Sequence, residues 1–190
     1  MSRPVSARSH VYRITLDAMF VALYVILGTF FSFKIPGAVQ ISFSTLPILL
    51  CAFLCKPTDA ISVAVIGTFL EQVIDPSPYG FATLPLWLIP NALLAIIAAV
   101  GAWHITRIKK RSLAVVLTCV TIVIAELFLT LCNTGMLYLD GYLLHYPVKA
   151  LHLLLPTRII NGLARSATSA CLVPLLVHPL RKAMAKFVTL

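Results

Sequence analysis

Charge is scarce in this chain. Only 11% of its 190 residues are charged, and six are acidic. So few charges cannot cover a water-soluble domain of this size. Familiar catalytic devices are absent as well. There is no Walker motif, which excludes use of ATP by P-loop chemistry within this chain. There is no G-x-S-x-G elbow and no serine–histidine pair at matching depth, which argues against an intramembrane protease. The histidines (His10, His104, His145, His152 and His178) form no H-E-x-x-H and no close pair with an acid. No acidic cluster suggests divalent-metal transferase work. The five cysteines form no C-x-x-C pair and follow no metal-ligand spacing. They read as small residues buried in apolar runs rather than a disulfide framework. The sequence therefore predicts no metal, no cofactor and no enzyme. No A-x-A cleavage site follows the first apolar run, so that run is expected to stay in the mature protein.

What is present is apolar sequence, 60% of the chain, in long runs with short polar punctuation. That is the pattern of an integral membrane protein in the lipid bilayer. Six spans are expected, at about 12–33, 41–55, 60–74, 82–103, 113–138 and 151–180. They define an all-α, six-helix bundle in one transmembrane domain over residues 1–190. Spans two and three fall short of the ~20 residues of a straight crossing. "KIPGAVQ", "DPSPYG", "HITRIKKRS" and "DGYLLHYPVK" read as loops. Pro47 falls within span two, and Pro85 and Pro90 within span four.

The net charge of +9 does not indicate nucleic acid, because most cations flank the spans. With the N-terminus inside, eleven Lys and Arg lie on the cytoplasmic side and two, Lys34 and Lys149, outside. The positive-inside rule then places both termini in the cytoplasm of a bacterial cell, with the protein crossing its plasma membrane several times.

This topology assigns depths at about 1.5 Å per helical residue. Glu71, Gln72, Trp87, Asn91, Asn133, Thr134, Arg158 and Asn161 fall in the outer half, and Gln40, Ser42, Ser44 and Thr45 flank the outer start of span two. Polar groups from several helices at one depth predict a pocket that opens outward. Tyr79, Phe81, Trp87, Tyr138 and Tyr142 are its candidate aromatic wall, although each alone fits an interfacial belt.

Span six raises a sharper question, because it carries two cations into lipid. Arg158, Asn161 and Arg165 recur at i, i+3 and i+7, which puts them on one helix face. Arg165 and Glu126 share a depth near mid-membrane, so they are expected to form a structural ion pair. Arg158 is shallower. Its planar fork suits an anionic group of a ligand, and a salt bridge to Glu71 is the competing assignment. Ala18 and Ala22 form a small-residue strip on the first helix, where another helix can approach closely.

These parts together resemble the substrate-binding S component of an energy-coupling factor (ECF) transporter. The resemblance spans essentially the whole chain. Its most specific run is "ISFSTLPILLCAFLCKPTDAISVAVIGTFLEQVIDPSPYGFATLPLWLIPNAL", similar to the family's helices two to four. "LLPTRIINGL" is similar to its proline–arginine entry to helix six. The chain departs from it in "CKPTDA", which lacks the glycines of the family's F-G-P-x-x-G, and in "GFATLPLW". Residue two is Ser2, where cobalt and nickel relatives carry histidine, which points away from a metal-ion substrate. "DPSPYGFATLP" matches the folate-type loop only in part.

The resemblance implies a high-affinity subunit of an ECF-type ABC importer. Such a subunit captures a water-soluble vitamin outside and topples against a transmembrane T component, driven by two cytoplasmic ATPases. Ala18 and Ala22 match the family's docking motif for the T component. The candidate substrate residues, from depth and helix face, are Arg158, Asn161, Asn91, Trp87, Gln72, Glu71, Asn133, Gln40 and Tyr79. Arg158 points to a pantothenate-like anion; a pyrimidine, pyridoxine or folate stays open. The alternative is a self-sufficient, proton-coupled secondary transporter of a small organic anion, in which Glu126 titrates.

Overall fold

A chain in lipid must satisfy every backbone donor and acceptor internally, and coiling into helices does so segment by segment. The computed structural model describes residues 7–34, 40–74, 84–108, 110–143 and 148–188. Among them are six helices: α1 (Ala7–Thr29), α2 (Thr45–Leu54), α3 (Pro57–Ile74), α4 (Leu84–Ile105), α5 (Arg111–Leu143) and α6 (Val148–Val188). Two short antiparallel strands, β1 (Ser32–Lys34) and β2 (Gln40–Ser42), lie between α1 and α2, with Phe33 opposite Ile41.

Five of the helices are long and apolar enough to cross a membrane; α2 is the exception. At 10 residues it is about 15 Å long, half the hydrocarbon thickness. Its role explains its length. Every residue from Thr45 to Phe53 is buried, and α2 touches α1, α3, α4 and α6. A helix that is apolar all round belongs inside a bundle. The other helices close around it, α1 on α3, α3 on α4, α4 on α5 and α5 on α6. Their outward faces are apolar: Val11, Ile14, Leu131, Ile160 and Leu175 are all more than 60% exposed, the reverse of a water-soluble surface.

Close approach is built in at two glycines. A Cβ on Gly67 of α3 would meet the Tyr24 ring of α1 at 2.8 Å, and one on Gly162 of α6 would meet Thr130 of α5 at 2.5 Å. The prolines fall where a helix tolerates them or bends. Pro57 opens α3, while Pro47 and Pro85 lie in first turns, where the missing N–H is not needed. Pro90 lies inside α4, and Pro156, Pro174 and Pro179 inside α6.

Side-chain contacts fix which helix ends lie together. Arg13 pairs with Asp59, joining the starts of α1 and α3. Arg181 Nη2 donates to the Phe53 carbonyl at 3.1 Å, joining the last third of α6 to the end of α2. The first turns of α1 and the later turns of α6 therefore share one end of the bundle. The hairpin lies at the other, with the end of α1 and the start of α2.

Several boundaries differ from the sequence expectation. The first span ends at Thr29, and part of "KIPGAVQ" pairs as strands, with alternating apolar and polar residues on either side. The second span starts later, at Thr45. Asp140, Gly141, Tyr142 and Leu143, read as loop, continue α5. "DPSPYG" lies outside the described residues.

Candidate substrate-binding site

The polar residues of the bundle interior gather into two nodes, one on each side of the start of α2. The first joins α1, α3 and α4. Tyr24 and Thr68, both buried, meet oxygen to oxygen at 3.1 Å. Asn91 donates its amide to Thr68 Oγ1 at 2.9 Å and also lies 3.4 Å from the Tyr24 hydroxyl and 3.5 Å from the Trp87 carbonyl. Asn91 thus knits three helices together. Trp87 is half-buried one turn above it, and its Nε1 is shielded from solvent without a hydrogen-bond partner among the described residues. An indole N–H in that state is an available donor. Glu71 and Gln72 are half-buried near the end of α3. Glu71 packs against Gly28 of α1 so closely that a Cβ there would collide with its carboxylate.

The second node joins α2, α5 and α6 around Glu126, which is fully buried. Arg165 Nε donates to Glu126 Oε2 at 2.7 Å. Thr45 donates to Oε1 at 2.7 Å, and Ser169 does so at 3.3 Å. Thr45 is the first residue of α2, so the carboxylate also meets the positive end of that helix. Arg165 Nη2 reaches Thr130 Oγ1 at 3.4 Å. Three donors and a helix terminus satisfy a charge that lipid alone would reject.

Two turns toward the hairpin end, Arg158 Nη1 donates to the Asn133 carbonyl at 3.1 Å. Arg158, Asn133 and Asn161 are half-buried. Asn161 makes no side-chain hydrogen bond among the described residues. Still nearer that end, the Tyr138 hydroxyl lies 3.0 Å from His152 Nδ1. Tyr142, a candidate wall residue, is 79% exposed and faces away from the bundle. Tyr79 and Phe81 lie outside the described residues, as does the side chain of Gln40, whose backbone belongs to β2. Ala18 and Ala22 are both exposed on α1.

The structure thus brings Arg158 and Asn133 together, and Asn91 and Trp87 together. Between the two nodes, Ser42 Oγ donates to Ser44 Oγ at 2.8 Å at the entry to α2. Sequence reasoning missed Tyr24, Thr68 and Ser169, which look like ordinary members of apolar runs. It also missed Asp140, which is 1% exposed with no hydrogen-bond partner for either carboxylate oxygen among the described residues. The signal that hid it was the Asp-Gly pair, which reads as a turn.

Five helices long and apolar enough to cross a membrane, packed around a buried short helix with polar clusters inside, define an integral membrane bundle. The sequence signature of the ECF transporter, substrate-specific component, matches residues 12–177, and the chain belongs to that family. It is accordingly a multi-pass membrane protein of transport, in a family of substrate-binding components rather than enzymes. Among solved structures it is similar to one described as "Structure and mechanism of the S component of a bacterial ECF transporter". The identity is 23%, with 90% of this chain and 99% of that chain covered and a TM-score of 0.63, which is a likeness of fold. No curated protein sequence matches this chain.

Proposed function

We propose that this chain captures a small, water-soluble, anionic vitamin at the hairpin end of the bundle and delivers it inward in concert with a T component and two ATPases. The family match over residues 12–177 is the observation that carries this reading. Arg158 supplies the sign of the ligand: a half-buried guanidinium near the hairpin end, beside Asn133 and in line with Asn161, suits a carboxylate of the pantothenate kind. Trp87 Nε1 is a candidate neutral donor to the same ligand. The excess of cations at the opposite end supports a cytoplasmic position for both chain ends. The exposed Ala18–Ala22 strip on α1 is then the surface offered to the T component.

The proton-coupled alternative asks Glu126 to exchange a proton during transport. Its carboxylate is instead engaged by Arg165, Thr45 and Ser169 in the bundle interior, which supports a structural role. Uptake of a labelled vitamin panel into proteoliposomes separates the two. The expected result is uptake only when the T component, the ATPases and internal ATP are all present. Uptake by this chain alone under a proton gradient would overturn the proposal.

A further inference from the structure

The end of the bundle opposite the hairpin holds a cluster that neither transport reading uses. Asp17 of α1 and Cys51 and Cys55 of α2 bring a carboxylate oxygen and two sulfurs within 4.8 Å of one another. Cys51 lies in the last turn of α2 and is fully buried, whereas Cys55 follows at its C-cap and is half-buried. A four-residue spacing stacks the two thiols on one helix face. The Cys55 amide donates to the Cys51 carbonyl at 2.8 Å, so the helical turn holds them together. Both are free thiols.

A second observation points to a ligand. Asp17 Oδ1 is shielded from solvent and has no hydrogen-bond partner among the described residues. Asp17 as a whole is half-buried, and a shielded acceptor without a donor is an open ligand position. The nearest cation, Arg13, pairs instead with Asp59, which also accepts from Thr58 Oγ1 and the Lys56 amide.

We propose that Asp17, Cys51 and Cys55 form a site for a soft divalent cation of the zinc class, which clamps α1 to α2. Two thiolates and one carboxylate are ligands that zinc accepts in tetrahedral geometry, with water in the fourth position. Thiolates select such an ion over magnesium or calcium. Bond lengths of about 2.3 Å to sulfur and about 2.1 Å to oxygen set neighbouring ligands roughly 3.5–3.8 Å apart, within rotamer reach of the separations here. The half-buried Cys55 gives the entry side. Binding sends the two thiol protons to solvent and leaves all oxidation states unchanged. No linear motif announces the site, because its third ligand comes from another helix. The inference rests on this geometry and is independent of the vitamin.

The test uses the purified full chain in detergent under a non-chelating reductant, with Co2+ as a spectroscopic probe. One Co2+ per chain should give a thiolate charge-transfer band that Zn2+ abolishes, and Zn2+ should raise the thermal midpoint. Asp17→Asn and Cys55→Ser should each weaken Zn2+ binding by tenfold or more. A chain with Cys119, Cys132 and Cys171 all changed to Ser should bind as the unaltered chain does. In the unaltered chain, Zn2+ should protect Cys55 from maleimide, a readout that needs no variant. Absence of the band, undiminished affinity and band intensity in Cys55→Ser, or unprotected Cys55 at saturating Zn2+ would overturn the proposal.

Discussion

Two arginines on one face of α6, seven residues apart, are held in very different ways. Arg165 meets a fully buried carboxylate at 2.7 Å, and that carboxylate is shared with Thr45 of α2 and Ser169 of α6 itself. Arg158 reaches a backbone carbonyl, Asn133 O, at 3.1 Å, close to the hairpin end. The residue type is the same and the face is the same, so the surroundings decide the role. Arg165 completes a network that joins α2, α5 and α6. Arg158 lies two turns nearer the hairpin end, beside Asn133, and in the function proposed above it meets the ligand.

The largest expected effect breaks the first member of this pair. Arg165→Ala takes the cation partner from buried Glu126, and breaking a buried pair costs roughly 3–5 kcal/mol. Thermal unfolding in detergent should show a large loss of stability or a failure to express. Equal stability of Arg165→Ala and Arg158→Ala would break the comparison.

Next is packing. Gly67→Ala puts a Cβ 2.8 Å from the buried Tyr24 ring, and overpacking of this kind costs about 1–3 kcal/mol. Gly135→Ala is the control, because nothing lies within 4 Å of its added Cβ and alanine favours a helix. The two variants should move the unfolding midpoint in opposite directions.

Thr68→Val removes the shared partner of Asn91 and Tyr24 while keeping the shape of the side chain. Loss of stability of about 1–3 kcal/mol is expected, since it leaves buried polar groups unmatched. An unchanged midpoint would mean that the α1–α3–α4 node contributes no stability.

The smallest effect on stability, and the largest on binding, belongs to Arg158→Ala. A hydrogen bond to a charged group contributes about 1.5–3 kcal/mol, so affinity should fall roughly 10- to 150-fold while the fold persists. Isothermal titration with the bound vitamin reads this directly.

Much of the bundle is legible in the sequence because lipid imposes a simple rule: long apolar runs become helices. The shared depth of Glu126 and Arg165 was legible for the same reason, since spanning helices convert residue number into depth. α2 was harder. Its interior position, rather than its own hydropathy, sets its length of 10 residues, and the strand pairing of Phe33 with Ile41 depends on a partner on the far side of the intervening loop. The polar nodes were legible only in part. Asn91 and Arg158 stand out in apolar runs, but Tyr24 and Thr68 become informative only once α1 and α3 pack. Asp140 was hidden by a neighbouring glycine that usually marks a turn, and here lies in the last turns of α5.

The most direct measurement is to purify the chain from vitamin-replete cells, denature it and identify the released small molecule by mass spectrometry. The account predicts one anionic vitamin per chain, carried by the unaltered protein and lost from a folded Arg158→Ala variant. An uncharged or cationic ligand, or an anionic one retained in full by Arg158→Ala, would contradict it.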